Sequence, residues 1–302
     1  MKGFALVLGL PHEPPMAAVI AELVRLGAPH AVVDQRRLVS GRAQTWWTMD
    51  GAGGLIDVDG TQICLDDVTG VYTRLTTWAD LPEVIANPGV LDQVRGTHEA
   101  IEAWLETTSA RVINRTSAND SNNSKPYQAL IIRDHFQIPA TLVTNSPVAL
   151  AEFRQEFDGV IYKSVSGERS IVTALSDADA DRLHLLTNAP VQFQEQVRGI
   201  DVRVHVVGAE VFASSIESDA VDYRYDPSGG AIRPVEVSDE VAGECVALTK
   251  RLGLELSGID LRYADDSRVV CFEVNPSPAY IVYERATGQP IAAAIARRLC
   301  SA

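Results

Sequence analysis

Short apolar runs alternate with helical stretches over roughly the first third of the chain, and strands of strict apolar–polar alternation return over the last third. Together these predict a mixed α/β and α+β protein. A length of 302 residues exceeds what one core comfortably fills, so two or three packed units are expected.

The first unit, residues 1–113, reads as an α/β domain. Phe4 to Leu10 is a buried strand. Pro14 and Pro15 suit the first turn of a helix, Ile20, Leu23, Val24 and Leu26 are expected on one face of it, and Gly27 stops it. Strands follow at His30 to Asp34 and Gly70 to Arg74, and Ile101, Trp104 and Leu105 mark a helix leading to the strand Arg111 to Ile113. Gly51-Ala52-Gly53-Gly54 reads as a plain loop.

Asn114 to Lys125 is polar and rich in turn formers, which marks a boundary. A central unit, 114–197, follows with a helix near Tyr127 to Phe136, an extended piece at Pro139 to Val143, a helix near Pro147 to Phe157 and a strand at Val160 to Lys163. The last unit, 198–302, has strands at Val202 to Val207, Gly258 to Tyr263 and Val269 to Asn275. One helix lies between them, with Val241, Cys245, Leu248 and Leu252 at helical spacing and Gly253 at its end.

Composition narrows the function. With 26 basic against 40 acidic residues and a net charge of −14, the averaged field repels phosphate backbones, so a nucleic-acid partner is not expected. No apolar stretch is long enough to span a bilayer, and Phe4 to Leu10 lacks the length and cleavage pattern of a signal peptide, so a cytoplasmic enzyme without a membrane partner is expected. Four widely spaced cysteines form no C-x-x-C pair and read as buried thiols. There is no Walker motif and no G-x-G-x-x-G.

Chemistry concentrates at three places. In Gly258-Ile-Asp260-Leu-Arg262 and Glu273-Val-Asn275-Pro276, strand alternation sets Asp260 with Arg262 on one face and Glu273 with Asn275 on one face. Pairing about the Asp265-Asp266 turn brings Asp260 opposite or diagonal to Glu273. That gives two carboxylates and an amide oxygen suited to magnesium, the alternative being the polar solvent face of an edge hairpin. Asp201, Arg203 and His205 alternate with Val202, Val204 and Val206. Arg203 thereby offers a forked donor for phosphate or carboxylate or else forms a surface ion pair, and His205 reads as a satisfied polar neighbour. Lys163 ends an apolar strand and precedes Ser164-Val-Ser166-Gly167-Glu-Arg169-Ser170, a small-residue loop able to close over phosphates.

Lys125, Lys163, Gln194-Glu195-Gln196-Val197, Asp201-x-Arg203, Asp260 and Glu273-x-Asn275, in that order and spacing, resemble the ATP-grasp superfamily in its RimK-like carboxylate-amine ligase branch. Glu273-Val-Asn275-Pro276 with Thr287-Gly288-Gln289-Pro290-Ile291 also resembles the graspetide (microviridin-type) synthetases. The resemblance implies a Rossmann-like N-terminal domain, a central lid and a C-terminal antiparallel-sheet domain. It implies ATP and Mg2+ as cofactors, with Lys125 and Lys163 on the α- and β-phosphates, and Glu195 and Val197 offering backbone groups to adenine that Gln194 helps orient. Asp201 joins this nucleotide set, as do Ser166, Gly167, Arg169 and Ser170, although their loop is poorer in glycine than the family's. Asp260, Glu273 and Asn275 would hold the metal. Arg203 would meet the γ-phosphate and the acyl phosphate, with Arg262 as a second catalytic candidate. Arg74, ending a strand of the first sheet, is a candidate for the substrate carboxylate, with Arg203.

The expected reaction activates a carboxylate as an acyl phosphate and couples it to an amine. The high negative charge favours an amino acid or a small amino-acid-derived metabolite. A peptide-modifying, macrocyclising ligase is the alternative, and a kinase or a non-catalytic nucleotide-binding protein the next. A homo-oligomer is compatible with the sequence.

Overall fold

The computed structural model describes residues 3–40, 43–50, 53–119, 124–165, 172–217 and 230–301. The first elements are β1 (Phe4–Gly9), α1 (Pro14–Arg25) and β2 (His30–Asp34), then β3 (Ala43–Trp47), β4 (Gly54–Val58), β5 (Thr61–Cys64) and β6 (Val68–Arg74). Helices α2 (Pro82–Ala86) and α3 (Leu91–Thr107) lead to β7 (Arg111–Ile113). Strands β2-β1-β6-β7 form a parallel sheet, so Gly9, Asp34, Arg74 and Ile113 all end at one edge, where open α/β sheets place ligands.

Three expectations are corrected here. The face of α1 that is buried carries Met16, Val19 and Leu23, whereas Val24 and Leu26 are exposed. Gly54 opens a strand rather than lying in a loop, because β3-β4-β5 make an antiparallel sheet that sends Ile56, Val58 and Ile63 into the core beside Ile101 and Trp104. Cys245 and Cys271 are buried as expected, but Cys64 and Cys300 are exposed.

The middle of the chain holds α4 (Thr116–Asn119), α5 (Lys125–Ile132), β8 (Thr141–Thr144), α6 (Pro147–Glu156), β9 (Val160–Lys163), β10 (Thr173–Ala174) and β11 (Val191–Glu195). The Ser124 hydroxyl caps α5 by accepting from the Tyr127 amide, and the helix ends at Ile132, short of the expected Phe136. The sheet runs β10-β9-β11-β8 over a core of Leu150, Val160, Leu186 and Phe193.

The last stretch contains β12 (Gly199–Val207), β13 (Glu210–Glu217), β14 (Ala231–Pro234), α7 (Asp239–Arg251), β15 (Leu256–Ala264), β16 (Val269–Asn275), α8 (Ile281–Thr287) and α9 (Ile291–Cys300). Strands β14-β13-β12-β15-β16 form an antiparallel sheet. Its apolar face carries Val202, Val204, Val206, Ile259, Leu261 and Val274 against Cys245 and Leu248 of α7.

Packing departs from chain order twice. Helix α5 lays Ile131 and Ile132 on the core of this last sheet, and α9 returns to the first unit. There Ile295 and Leu299 join Val7, Met16 and Leu23, and any side chain at Gly70 would meet the Leu299 backbone. Among the described residues no helix is long and apolar enough to cross a membrane.

Candidate active site

The polar face of the five-stranded sheet is assembled by register. Arg203 on β12 lies opposite Asp260 on β15, which lies opposite Glu273 on β16, and the neighbouring row is Asp201 opposite Arg262. Asn275 stands one row on from Glu273, opposite Gly258. Simple alternation along β16 from Cys271 would have turned Glu273 into the core. A β-bulge prevents this: Leu261 pairs with Cys271 and Asp260 with Glu273, leaving Phe272 as the extra residue. The Phe272 ring then sits 5.2 Å from the Arg262 guanidinium, a cation–π contact.

Arg203 is an ion-pair residue, but a buried one. It is 6% exposed and donates from Nη1 to Asp260 Oδ1 at 2.5 Å. Its guanidinium crosses the strand over Gly258, where a Cβ would come within 2.7 Å of both Arg203 Cζ and Pro278 Cβ, so only glycine leaves it room. Arg262 donates from Nε and Nη2 to the two oxygens of Asp201 at 2.8 and 2.7 Å, and from Nη1 to the Val197 carbonyl at 2.7 Å. Its fork is thus engaged in joining the 194–197 segment to the sheet, and Asp201 is held by the same bonds.

His205 corrects its expectation. It is fully buried, and neither ring nitrogen finds a hydrogen-bond partner among the described residues. Its ring meets that of Tyr283 edge-on at 4.9 Å. Burial first, and the Arg203 charge second, hold its pKa well below the usual imidazole value.

On the central sheet Lys163 pairs in register with Gln192, and Ile161 with Gln194, so Lys163, Gln192 and Gln194 share a face. Gln194 donates to Thr141 Oγ1 at 3.0 Å, while Gln192 Oε1 and Gln194 Oε1, both buried, accept no bond from the described residues. Glu195 turns its carboxylate away to Arg268 at 3.0 Å and the Ala140 amide at 3.2 Å, and its own backbone N–H donates to the Ala140 carbonyl at 3.0 Å. Lys125 begins α5. Ser166, Gly167, Arg169 and Ser170 lie outside the described residues.

Arg74 reaches the same region from the first sheet. Its Nη1 donates to the Pro278 carbonyl at 3.5 Å, and its buried Nε finds no hydrogen-bond partner among the described residues and lies 3.9 Å from the Glu13 carboxylate. The Pro278 segment therefore touches Arg74 on one side and the Gly258–Arg203 crossing on the other. A crevice of about 380 Å3 lined by His12, Pro14, Ala17, Ile281 and Glu284 opens on either side of Glu13 in sequence.

The donor set fits magnesium in a particular way. Asp260 and Glu273 supply two carboxylates and Asn275 an amide oxygen, whose Oδ1 also accepts from the Ser277 amide at 2.9 Å. Among the described residues no three His, Cys, Asp or Glu side chains converge for a metal. Such a site suits an ion that keeps one or two protein carboxylates and fills its shell with phosphate oxygens and water.

Sequence reasoning missed two buried amides. Asn114 donates from Nδ2 to the Leu256 and Pro276 carbonyls at 2.7 and 2.6 Å, and accepts at Oδ1 from the Glu255 and Leu256 amides at 2.8 and 3.1 Å. Gln128 bonds both the carbonyl and the amide of Val274. Both lie in or beside a polar stretch that looks like linker, and only their three-dimensional partners distinguish them.

A family model for the RimK-like ATP-grasp domain matches residues 121–299. The chain is similar to the ATP-grasp ligase PsnB, solved with a minimal precursor, at 30% identity and TM-score 0.81 over 99% of this chain and 98% of that one. PsnB with a phosphomimetic variant of its minimal precursor, Mg and ADP matches at 29% with the same score. The macrocyclase MdnC from Microcystis aeruginosa MRC, bound with precursor peptide MdnA, shares the fold at 23% identity and TM-score 0.80 over 99% of this chain and all of that one. A probable alpha-L-glutamate ligase from Vibrio vulnificus (strain YJ016) is 25% identical over 264 residues, 82% of this chain and 86% of its own.

Proposed function

The chain belongs to the RimK-like ATP-grasp family, and from that premise we propose that it is an ATP- and Mg2+-dependent ligase that modifies a peptide. It activates a carboxylate side chain of a precursor peptide as an acyl phosphate and joins it to an amine or hydroxyl of the same peptide. The observation that carries the peptide reading is the end-to-end likeness to PsnB, which includes the first unit as well as the ATP-grasp part. The Thr287-Gly288-Gln289-Pro290-Ile291 motif supports it from within. Gly288 takes the left-handed conformation at φ 71°, and Gln289 donates to the Ala213 carbonyl at 2.9 Å and accepts from Ser214 Oγ at 3.1 Å, beside Arg203 in register.

In this reading Lys125 and Lys163 hold the nucleotide phosphates, and the buried, open oxygens of Gln192 and Gln194 meet the base. Asp260, Glu273 and Asn275 hold magnesium, which supplies charge neutralisation on the transferred phosphoryl group. Arg203 meets the acyl phosphate over Gly258, and Arg74 holds the approaching carboxylate from the other side of Pro278. Arg262 is a positioning residue that keeps the 194–197 segment against the sheet. Local basic groups thus offset the overall charge of −14 where an acidic side chain must enter.

The second reading is addition of glutamate or another amino acid to a small acceptor or chain end, favoured by the glutamate-ligase relatives. Mass spectrometry of purified enzyme with ATP, Mg2+ and either synthetic peptides bearing Asp or Glu together with Lys, Ser or Thr side chains or mixed amino acids separates the two. Loss of water within one peptide chain is the expected result. Stepwise gain of amino-acid residues, with no such loss, overturns the peptide reading in favour of the second.

A further inference from the structure

Strand β16 is the edge of its sheet, so the backbone groups that face away from β15 need partners from elsewhere. At its start the Cys271 amide donates to the Gln137 carbonyl at 2.9 Å. Further along, the partner is a side chain. Gln128, 3% exposed, donates from Nε2 to the Val274 carbonyl at 2.8 Å and accepts at Oε1 from the Val274 amide at 2.9 Å. The carboxamide closes a two-bond ring on one residue, as a neighbouring strand would.

The residue it grips stands between Glu273 and Asn275, and the residue after Asn275 is gripped in turn, because Asn114 donates to the Pro276 carbonyl at 2.6 Å. Gln128 also lies one helical turn from Lys125 on α5. Apolar contacts of Ile131 and Ile132 already hold this helix to the sheet, but such contacts are non-directional and permit small slides and rotations. A two-bond ring to a fixed peptide does not.

We infer that Gln128 is a positioning residue, which fixes the pitch and height of Glu273 and Asn275 against the nucleotide-binding helix so that magnesium and nucleotide bind as one unit. This rests on the magnesium assignment of the proposed function. Removing the ring should leave the helix docked and the lysine in place, while uncoupling metal from nucleotide.

The test is calorimetric titration of ADP into wild type and Gln128→Met, with EDTA and with saturating Mg2+. In the wild type Mg2+ tightens ADP binding. In Gln128→Met that tightening shrinks by roughly fivefold or more, while the metal-free affinity stays within about twofold of wild type. Unchanged tightening overturns the inference, and so does an equal loss with and without Mg2+, which is what a merely structural role gives. Should Gln128→Met not fold, Gln128→Asn, one methylene short of making both bonds, is held to the same limits. A wild type whose ADP affinity ignores Mg2+ fails the magnesium assignment itself, and this inference with it.

Discussion

The two faces of the five-stranded sheet are made by the same strands and stabilised by opposite means. On one face Val202, Val204, Ile259, Leu261 and Val274 are all but excluded from solvent, and burial alone orders them. On the other, Arg203, Asp260, Arg262, Asp201, Glu273 and Asn275 are held by register and by ion pairs, with their charges partly reachable. The difference teaches where cost and function separate. A change on the apolar face should remove the platform, whereas under the proposed function a change on the charged face should leave the platform and remove the chemistry.

Consecutive residues break or sustain this contrast most sharply. Val274→Asp, which places a carboxylate in the fully buried core, should abolish cooperative folding as read by thermal denaturation, since an unpaired buried charge costs several kcal/mol. Glu273→Gln, one position earlier, should abolish ADP formation while the melting temperature without ligand holds or rises, because clustered negative charge is relieved. A soluble, well-folded Val274→Asp, or a Glu273→Gln that melts far earlier, would erase the distinction between the faces.

A smaller effect is expected at the bulge. Phe272→Leu keeps an apolar side chain but removes the ring beneath Arg262, and with it about 0.5–1 kcal/mol of cation–π attraction. Loosening Arg262 from Val197 should weaken ADP by about two- to fivefold in calorimetry, with melting little changed. No change in affinity would mean that the Asp201 pair alone fixes Arg262.

The smallest effect concerns the boundary between the faces. His205 belongs by register to the charged face yet is fully buried, with its folded pKa depressed. As pH falls below about 6.5 the unfolded chain binds a proton there that the folded chain refuses, so its stabilising share is complete above that pH and is lost progressively below it. His205→Phe should therefore show a shallower decline in denaturant midpoint between about pH 6.5 and 5 than the wild type. Parallel declines would assign the acid sensitivity to other groups.

Much of this architecture is legible in the residues. Alternation exposes β12 because Asp201, Arg203 and His205 interleave with valines, and Gly27 and Gly253 end helices where the pattern stops. The proposed metal pair is legible only by assuming the pairing, since a strict two-residue period from Cys271 points Glu273 the wrong way and the bulge at Phe272 restores it. The sheet β3-β4-β5 is hidden by its glycines, and β11 by its glutamines, whose burial owes nothing to apolarity. Gln128 and Asn114 could not be singled out, because what they bind is backbone, which every residue has.

Helix α9 has a consequence for how the molecule is made. Its Ile295 and Leu299 complete the core begun by Val7, Met16 and Leu23. During synthesis β1 and α1 emerge well before α9, so the surface they expose waits for that helix to arrive. The nascent chain therefore carries that apolar patch uncovered until α9 has emerged. A chain truncated before residue 291 lacks the helix that covers Val7, Met16 and Leu23, so its defect lies in the core beside the first sheet.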